Sequence, residues 1–347
     1  MSEPGDVATE WLIEVLAQEP HFNRLWCLDE NSAARFPSAG SETLTVISNR
    51  WDAAEQARRA GLTALFSDFD EQALDHACFD RVYCRVPKEK PLAHHLINLA
   101  GRQLKPGGEL VLCGHKAEGT KTYISKAARY LGASNKAHKQ GELYTARLTR
   151  GDALGAVLPD NDYPQARPIA DYQGITLYSK PGLYGWQKID RGSELLWLQA
   201  QPILEQQRPD TLLDLGCGYG YLGLMTKALP LKRRVMTDNN AAAVAMARLN
   251  AERNGVNAEV VADDCALHID ETFDAVLCNP PFHQGFTTRG DLTERFLHSA
   301  HQHLKPEGIA LFVVNQFIPL ERKAQGLFSR IETLSDNEGF KVVRLGL

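Results

Sequence analysis

The sequence has no apolar run long enough to cross a membrane, and no two of its seven cysteines form a CxxC pair. A membrane-spanning helix needs about 20 consecutive apolar residues, so we expect no membrane partner. The cysteine number is odd, and several cysteines lie in apolar runs, where a free thiol behaves as a small hydrophobic side chain. We therefore expect a cytoplasmic protein with neither a disulfide framework nor a metal site.

An excess of basic charge is also missing, because 43 Asp and Glu residues outnumber 38 Lys and Arg residues and leave a net charge of −5. The first residues, MSEPGD, show no basic segment followed by an apolar one, so we expect no signal peptide. Residues 114–150 nevertheless hold eight Lys or Arg and two acids. Such a stretch suits phosphate contacts or a solvated surface equally well. The candidates for phosphate contact are Lys116, Lys121 and Lys126.

Two segments of the chain are repeated in the same order. FDRVYCRVPK (79–88) parallels FDAVLCNPPF (273–282), and LKPGGELVLCG (104–114) parallels LKPEGIALFVV (304–314). Each half shows a strand, a helical stretch and a second strand, which predicts a parallel sheet covered on both faces. In the second half, five apolar residues recur at helical spacing before Lys-Pro-Glu-Gly ends the helix: Leu292, Phe296, Leu297, Ala300 and Leu304.

We predict an α/β protein with two tandem Rossmann-like domains, 1–155 and 165–347. A length of 347 residues with 44% hydrophobic residues is typical of two packed domains. The boundary is expected around 150–168, which is rich in Gly, Pro, Asp and Asn. The first copy has no glycine in RLWCLDENSAARF (24–36), so we expect it to keep the fold without a ligand site.

A glycine-rich turn follows an apolar strand in TLLDLGCGYGYLGL (211–224). Glycines allow a tight turn and let a ligand approach the backbone closely. The ligand candidates here are Gly216, Cys217, Gly218 and Gly220. Residues 218–223 also satisfy GxGxxG, the pattern of dinucleotide-binding proteins.

Acids at three strand ends favour a different nucleoside ligand. Asp214 precedes the first glycine, where it suits an ammonium group and would repel a pyrophosphate. Asp238, with Asn239 beside it, ends the next strand and suits a ribose diol. Asp263 or Asp264 ends a further strand and suits the amino group of adenine; the sequence does not distinguish the two. Strand ends of a parallel sheet line the crevice where ligands bind.

Asn279, Pro280, Pro281 and Phe282 end the fourth strand of this copy. The amino group of a nucleobase is a poor nucleophile because its lone pair is delocalised into the ring. The Asn279 side chain and the Pro280 carbonyl offer oxygen acceptors for its two N–H groups, and Phe282 offers a face for stacking. Rigid acceptors would then supply most of the catalysis through orientation and electrostatics. A purely structural Pro-Pro turn is the alternative.

DxGxGxG, the two later acids and NPPF together resemble class I S-adenosyl-L-methionine-dependent methyltransferases. NPPFHQG, with GLYGWQKIDRGSELL (182–196) and VVNQFIPL (313–320), resembles the ribosomal RNA small subunit methyltransferase C family and its large-subunit relative, methyltransferase G. The resemblance implies guanine N2 methylation of ribosomal RNA or a ribosomal subunit, 16S rather than 23S. It also implies an amino-terminal domain without a cofactor site. It assigns the turn of Asp190, Gly192 and Ser193 to the cofactor.

Several alternatives remain open from the sequence. The same amine chemistry serves DNA adenine or a protein glutamine, and the literal GxGxxG serves an NAD-dependent oxidoreductase. A non-enzymatic RNA-binding module is the least favoured reading. His283 could relay a proton, hydrogen-bond its loop or contact RNA phosphate. We expect a monomer.

Overall fold

The computed structural model describes residues 6–29, 36–37, 41–74, 78–134, 137–281, 289–337 and 339–347. The chain divides into two compact units, Met1–Gln165 and Ala166–Leu347. This division falls inside the 150–168 segment, and residues 150–166 form neither helix nor strand. No helix in the described part of the chain is both long and apolar enough to span a membrane.

The first unit is built on one mixed sheet. Its strands are β1 (Arg24–Leu28), β2 (Leu44–Ser48), β3 (Thr63–Phe66), β4 (Phe79–Arg85), β5 (Leu104–His115), β6 (His138–Gln140) and β7 (Leu143–Thr149). They are ordered β3-β2-β1-β4-β5-β7-β6, with β1 to β5 parallel and β7 antiparallel to both neighbours. The helices are α1 (Val7–Gln18), α2 (Trp51–Arg59), α3 (Lys90–Gln103) and α4 (Thr120–Leu131).

The second unit opens with a hairpin and repeats the same sheet. The hairpin strands are β8 (Arg167–Tyr172) and β9 (Ile175–Ser179). The sheet strands are β10 (Thr211–Leu215), β11 (Arg233–Asp238), β12 (Glu259–Ala262), β13 (Phe273–Cys278), β14 (Leu304–Asn315), β15 (Arg330–Asn337) and β16 (Phe340–Gly346). The helices are α5 (Arg191–Gln207), α6 (Tyr221–Met225), α7 (Ala241–Arg253), α8 (Arg289–His303) and α9 (Leu320–Ala324).

The two sheets share one topology. The second is ordered β12-β11-β10-β13-β14-β16-β15, which is the order of the first when strands are counted within each sheet. Phe79 pairs with Leu104 and Phe273 with Leu304, and a register shift follows in both copies. The shift falls at Leu-Lys-Pro-x-Gly, where proline cannot donate a ladder hydrogen bond. The predicted pair of tandem α/β domains is confirmed.

One hydrophobic core of the second unit lies between its sheet and helices α8 and α9, and helices α5, α6 and α7 bury further apolar residues. Four of the apolar residues predicted for α8 are buried, which stabilises the fold by about 1.5 to 3 kcal/mol for each large side chain: Leu292, Phe296, Leu297 and Ala300. The helical assignment of Leu304 is wrong, because α8 ends at His303 and Leu304 begins β14 by pairing with Phe273. Pro306 prevents the helix from continuing.

Candidate active site

The carboxyl ends of four parallel strands bring the predicted ligand residues to one edge of the second sheet. Leu215 of β10 lies opposite Thr237 on one side and Cys278 on the other. Asp238 ends β11 and lies opposite Ala262 of β12. The predicted glycine turn, adenine acid and amine acceptor begin directly after these positions: Gly216, Asp263 and Asn279.

The glycine turn after β10 has a backbone that favours glycine. Gly216, Gly218 and Gly220 have φ angles of 77°, 55° and 90°, in the left-handed region that other residues rarely adopt. The N–H groups of Gly216 and Cys217 both donate to the carbonyl of Thr237, each at 2.9 Å. The turn is therefore fixed against β11, and its three glycines, which have no side chains, allow a ligand to approach the backbone closely.

Asp214 lies beneath this turn and is fully buried. Its Oδ2 accepts the Gly223 N–H at 2.8 Å, and its Oδ1 has no hydrogen-bond partner in the part of the chain that the structure describes. Burial raises the pKa of Asp214 to about 7, against the lowering effect of the Gly223 N–H, and the charge of Asp238 adds to the rise. An unpaired buried oxygen is costly unless a ligand donor reaches it. The ammonium contact of Asp214 stays a prediction.

Asp238 accepts one backbone hydrogen bond on each carboxylate oxygen. The Gly218 N–H donates to Oδ2 and the Asn240 N–H to Oδ1, both at 2.9 Å. The ribose contact of Asp238 stays a prediction. Asn239 donates from Nδ2 to Oδ1 of Asp264 at 3.3 Å. Asn239 thus links the predicted ribose and adenine positions.

Asp263 and Asp264 lie in different environments. The Asp263 carboxylate, 1% exposed, accepts the N–H of Asp264 at 2.7 Å and the N–H of His268 at 2.8 Å. It also meets Nδ1 of His268 at 3.0 Å, and a carboxylate only accepts, so Nδ1 carries the proton. Asp264 is 13% exposed and forms an ion pair with Arg295 of α8. Asp263 therefore closes a turn, while the Asp264 carboxylate contacts two side chains, those of Asn239 and Arg295.

Asn279 is half-buried at the end of β13, and its amide is held by two side chains. Nδ2 donates to Oδ2 of Asp190 at 2.9 Å and to Oγ of Ser193 at 2.8 Å. Oδ1 is shielded from solvent and has no hydrogen-bond partner among the described residues. Pro280 is buried and Pro281 is exposed. The end of the strand is thus followed by an oriented carbonyl oxygen that no donor of the described residues meets. Two other predicted residues lie outside the residues that the structure describes: Phe282 and His283.

The predicted turn of Asp190, Gly192 and Ser193 begins helix α5. Asp190 caps this helix, because its Oδ2 accepts the Ser193 N–H at 2.8 Å. Gly192 is buried, and a Cβ added there would lie 3.1 Å from the Phe340 ring. The family resemblance implies a cofactor role for this turn, and the contacts of the structure join it to Asn279.

The edge as a whole is acidic. It carries Asp190, Asp214, Asp238, Asp263 and Asp264, and Arg295 is paired with one of them. An acidic crevice attracts cationic ligands and disfavours a pyrophosphate. Together with the unpaired oxygen of Asn279, it suits a cationic donor molecule and a neutral substrate that presents N–H groups.

Comparison with known proteins identifies the family. Residues 174–344 match the Methyltransferase small domain, and residues 27–153 match the Methyltransferase small domain N-terminal model. The chain is 34% identical to the ribosomal RNA small subunit methyltransferase C of Pseudomonas aeruginosa over 84% of this chain and 86% of that protein. It is 32% identical to the Shewanella loihica protein of the same name over 79% of each. The chain belongs to the ribosomal RNA small subunit methyltransferase C family.

A solved structure shares the fold of this family member. The 16S rRNA guanine N2 methyltransferase of T. thermophilus, in complex with AdoMet and guanosine, is 24% identical. It superposes with a TM-score of 0.80, covering 99% of this chain and 94% of that one. The likeness confirms the two-domain fold, and family membership confirms the predicted resemblance and the predicted enzyme class, a methyltransferase.

In this methyltransferase, charged side chains fill the matching edge of the first sheet. Arg85 takes the place of Asn279 in the repeat and is 4% exposed. It donates to Asp6 at 2.8 Å and to Glu118 at 2.6 Å, and His115 contacts Asp6 at 2.7 Å. A buried charge requires such pairing. The network occupies the position where Asn279 lies in the second unit, so the first unit has a paired guanidinium there and no amide acceptor.

The three lysines predicted to contact phosphate lie in the first unit. Lys116 and Lys121 are exposed. Lys126 is half-buried and donates to Nε2 of His94 at 3.0 Å. An ammonium group only donates, so Nδ1 of His94 carries the proton and donates to the Pro159 carbonyl at 2.7 Å. Lys116 and Lys121 are therefore better placed than Lys126 to meet a phosphate.

Two residues that support the candidate active site of the methyltransferase lie outside the sequence motifs. Arg295 pairs with Asp264 from a helix 31 positions away. Asn250 of α7 donates to the Tyr219 carbonyl of the glycine turn at 2.8 Å. Both come from ordinary helical positions, and only the packing of the helices on the sheet brings them to the site.

Proposed function

We propose that the protein transfers a methyl group from S-adenosyl-L-methionine to the exocyclic amino group of a guanine in 16S ribosomal RNA. The observation that carries this proposal is the Asn279 side chain. Its amide nitrogen is engaged, and its oriented carbonyl oxygen has no partner in the described part of the chain. A guanine amino group donates N–H to an acceptor of this kind. Membership in the ribosomal RNA small subunit methyltransferase C family supports the RNA substrate, and the guanosine bound to the T. thermophilus relative supports the base.

The chemistry of the reaction needs acceptors more than a strong base. Oδ1 of Asn279 and the carbonyl of Pro280 accept the two N–H groups and turn the nitrogen lone pair out of the ring plane. Phe282 provides a stacking face for the base. S-adenosyl-L-methionine supplies the methyl group as an electrophilic carbon on a sulfonium. The amine becomes acidic once methylated and then releases a proton, so fixed orientation is the main contribution of the protein.

The residues of the acidic edge fit this cofactor. Oδ1 of Asp214 is buried and unpaired within the described chain, and a donor on the cofactor's methionine part would satisfy it. Asp238, at the end of β11, is the proposed contact for the ribose. Asp264, with a side chain 13% exposed against 1% for Asp263, is the better of the two candidates for the adenine amino group. The glycine turn allows the ligand to lie close to the backbone.

The alternative functions differ in how well they suit this edge. A dinucleotide would bring a pyrophosphate to an edge with five aspartates, which opposes NAD binding. DNA adenine and protein glutamine present the same planar amine, so Asn279 alone does not discriminate against them. The family relationship favours ribosomal RNA over both.

The first unit has a supporting role in this proposal. Residues 1–155 position the substrate through the basic stretch at 114–150, and residues 165–347 carry the reaction. The partner of the whole protein is ribosomal RNA or a ribosomal subunit, which the protein binds as a monomer in the cytoplasm. Lys116 and Lys121 carry the RNA contact because both are exposed.

The test compares Asn279→Ala with Asn257→Ala, a matched change at an exposed asparagine. Each protein receives labelled S-adenosyl-L-methionine with naked 16S RNA, small ribosomal subunits, 23S RNA, DNA or a glutamine-containing release factor. We expect methylation of a guanine N2 in 16S RNA or the small subunit. Asn279→Ala should lower kcat by about 10²- to 10³-fold, as removal of one preorganised group does.

Cofactor binding is measured in parallel by calorimetry. Asn279→Ala should bind S-adenosyl-L-methionine as tightly as the wild type, because the asparagine acts on the amine. Normal turnover by Asn279→Ala would reject the mechanism. Label in adenine or in protein, with none in guanine, would reject the substrate.

A further inference from the structure

The orientation of the Asn279 amide is fixed from outside the Asn-Pro-Pro-Phe motif. Asp190 and Ser193 lie at the start of α5, more than eighty residues earlier in the chain, and both contact Nδ2 of Asn279. Asp190 has two tasks, since its Oδ2 also accepts the Ser193 N–H at 2.8 Å. The beginning of the helix and the amide of the active site therefore share one carboxylate oxygen.

The two ends of an amide have nearly the same shape, so hydrogen-bond partners decide which end faces which way. An ionised carboxylate only accepts, and it therefore requires the NH₂ end of Asn279 to face it. A flipped amide would bring Oδ1 to within about 2.9 Å of the carboxylate oxygen, the distance that now separates Nδ2 from Asp190. Two acceptors at that distance repel each other. Asp190 thus forces Oδ1 to the side on which no described residue meets it.

We propose that Asp190 and Ser193 are positioning residues for methyl transfer, which hold the Asn279 amide so that its oxygen faces the amine of the target base. This inference rests on the proposed function of Asn279. It gives the turn at 190–193 a task in substrate alignment in place of the cofactor contact that the family resemblance implies. Neither residue needs to touch the substrate to act in this way.

Helix capping by itself does not require an acid at this position. Asn and Asp are about equally good capping residues, so Asp190→Asn keeps the cap of α5. The new amide, however, also has an NH₂ group that can donate to Oδ1 of Asn279. It therefore permits the flipped orientation and occupies the oxygen that the substrate needs. The substitution separates positioning from capping.

The first experiment measures single-turnover methylation of small ribosomal subunits by Asp190→Asn and Ser193→Ala, with the Kd for S-adenosyl-L-methionine and the thermal unfolding midpoint. We expect Asp190→Asn to be about tenfold slower or more, within the range for a lost preorganised group. Its cofactor Kd and unfolding midpoint should stay close to wild type. A wild-type rate would overturn the inference, and a loss of rate explained by weaker cofactor binding would overturn it in favour of the cofactor role.

The second experiment exchanges the two groups. Asn279→Asp alone places two carboxylates against each other and should be inactive. Adding Asp190→Asn again places an amide, now at residue 190, against a carboxylate, now at residue 279. Because both ends of a carboxylate are oxygens, one oxygen of residue 279 faces the amine in either orientation. We expect the double variant to be at least about tenfold faster than Asn279→Asp. No rescue would overturn the inference.

The outcomes separate this inference from the proposed function. An inactive Asn279→Ala with a fully active Asp190→Asn leaves the proposed function standing and removes the positioning role. A fully active Asn279→Ala removes both. Retained cofactor binding in every variant verifies that the second unit is folded.

Discussion

Asp214 shows how a single buried carboxyl group makes the fold sensitive to pH. Burial raises the pKa of Asp214 to about 7, whereas an unfolded aspartate has a pKa of about 3.9. Between these values the folded chain holds a proton that the unfolded chain has released. Its contribution to the free energy of unfolding is therefore fully present below about pH 4 and is lost as the pH rises through 7.

Asp214→Asn tests this contribution because the amide stays neutral and can still accept the Gly223 N–H. Relative to the variant, the wild type should lose up to about 4 kcal/mol of unfolding free energy between pH 4 and pH 8. Urea unfolding of both proteins across this range measures the difference. A difference that does not change with pH would mean that Asp214 is ionised throughout in the folded protein.

At the scale of single residues, the sequence predicts which residues belong to the site better than it predicts their contacts. The glycines, Asp238 and Asn279 can be located because each directly follows or ends an apolar strand. The separate environments of Asp263 and Asp264 depend on a turn that His268 closes and on Arg295 of α8. The link from Asp190 to Asn279 spans 89 positions. Such pairings follow from packing between elements, which a local pattern does not encode.

Helix α7 and hairpin β8–β9 are held together by two asparagines. Asn250 accepts the Tyr178 N–H at 2.7 Å and donates to the Tyr178 carbonyl at 2.8 Å. Asn254 does the same with Thr176, at 3.0 and 2.9 Å. The two side chains lie one helical turn apart and pair with alternate residues of β9, as a neighbouring strand would. Asn250 differs in also donating to Tyr219 of the glycine turn.

We expect Asn250→Ala to lower the free energy of unfolding by at least about 2 kcal/mol, because it leaves buried backbone groups without partners. It should also weaken binding of S-adenosyl-L-methionine, since the glycine turn loses its support. Asn254→Ala is the matched control, with a similar hairpin contact and no bond to Tyr219. It should cost about 1 kcal/mol and leave cofactor affinity unchanged. Urea unfolding and calorimetry test both expectations; equal cofactor affinity in the two variants would refute the link.

The sequence predicts the main elements of the sheets well and this hairpin not at all. Apolar strands such as β13, the repeated Leu-Lys-Pro-x-Gly segment and the helical face of α8 have strong periodic signals. The alternation of Ile175 and Leu177 with Thr176 and Tyr178 covers only the five residues of β9. The asparagines that hold the hairpin lie 72 and 78 positions away. Its placement depends on side chains of α7 that resemble any other helix surface.

At the scale of the whole molecule, binding and catalysis are expected to separate between the two units. We predict that Lys116→Glu with Lys121→Glu weakens binding of 16S RNA at least about tenfold at about 0.1 M salt. The slope of affinity against salt should fall by about 1 to 2, because two phosphate contacts are lost. Filter binding over a salt series measures both effects.

The control carries the same change in net charge on exposed lysines of the second unit, Lys227→Glu with Lys232→Glu. It should bind RNA with nearly the wild-type slope. Cofactor affinity should be unchanged in both double variants. If the two double variants lose affinity equally, long-range charge explains the effect and the basic stretch has no special role.

The buried Arg85 network limits which single substitutions the first domain tolerates at the end of its fourth strand. Replacing Arg85 by asparagine would remove the guanidinium partner of Asp6 and Glu118. Breaking a buried ion pair in this way lowers the free energy of unfolding by about 3 to 5 kcal/mol. That is a large part of the roughly 5 to 15 kcal/mol that keeps an ordinary domain folded. A single change of Arg85 to asparagine is therefore expected to destabilise the first unit and not to give it a second working amide acceptor.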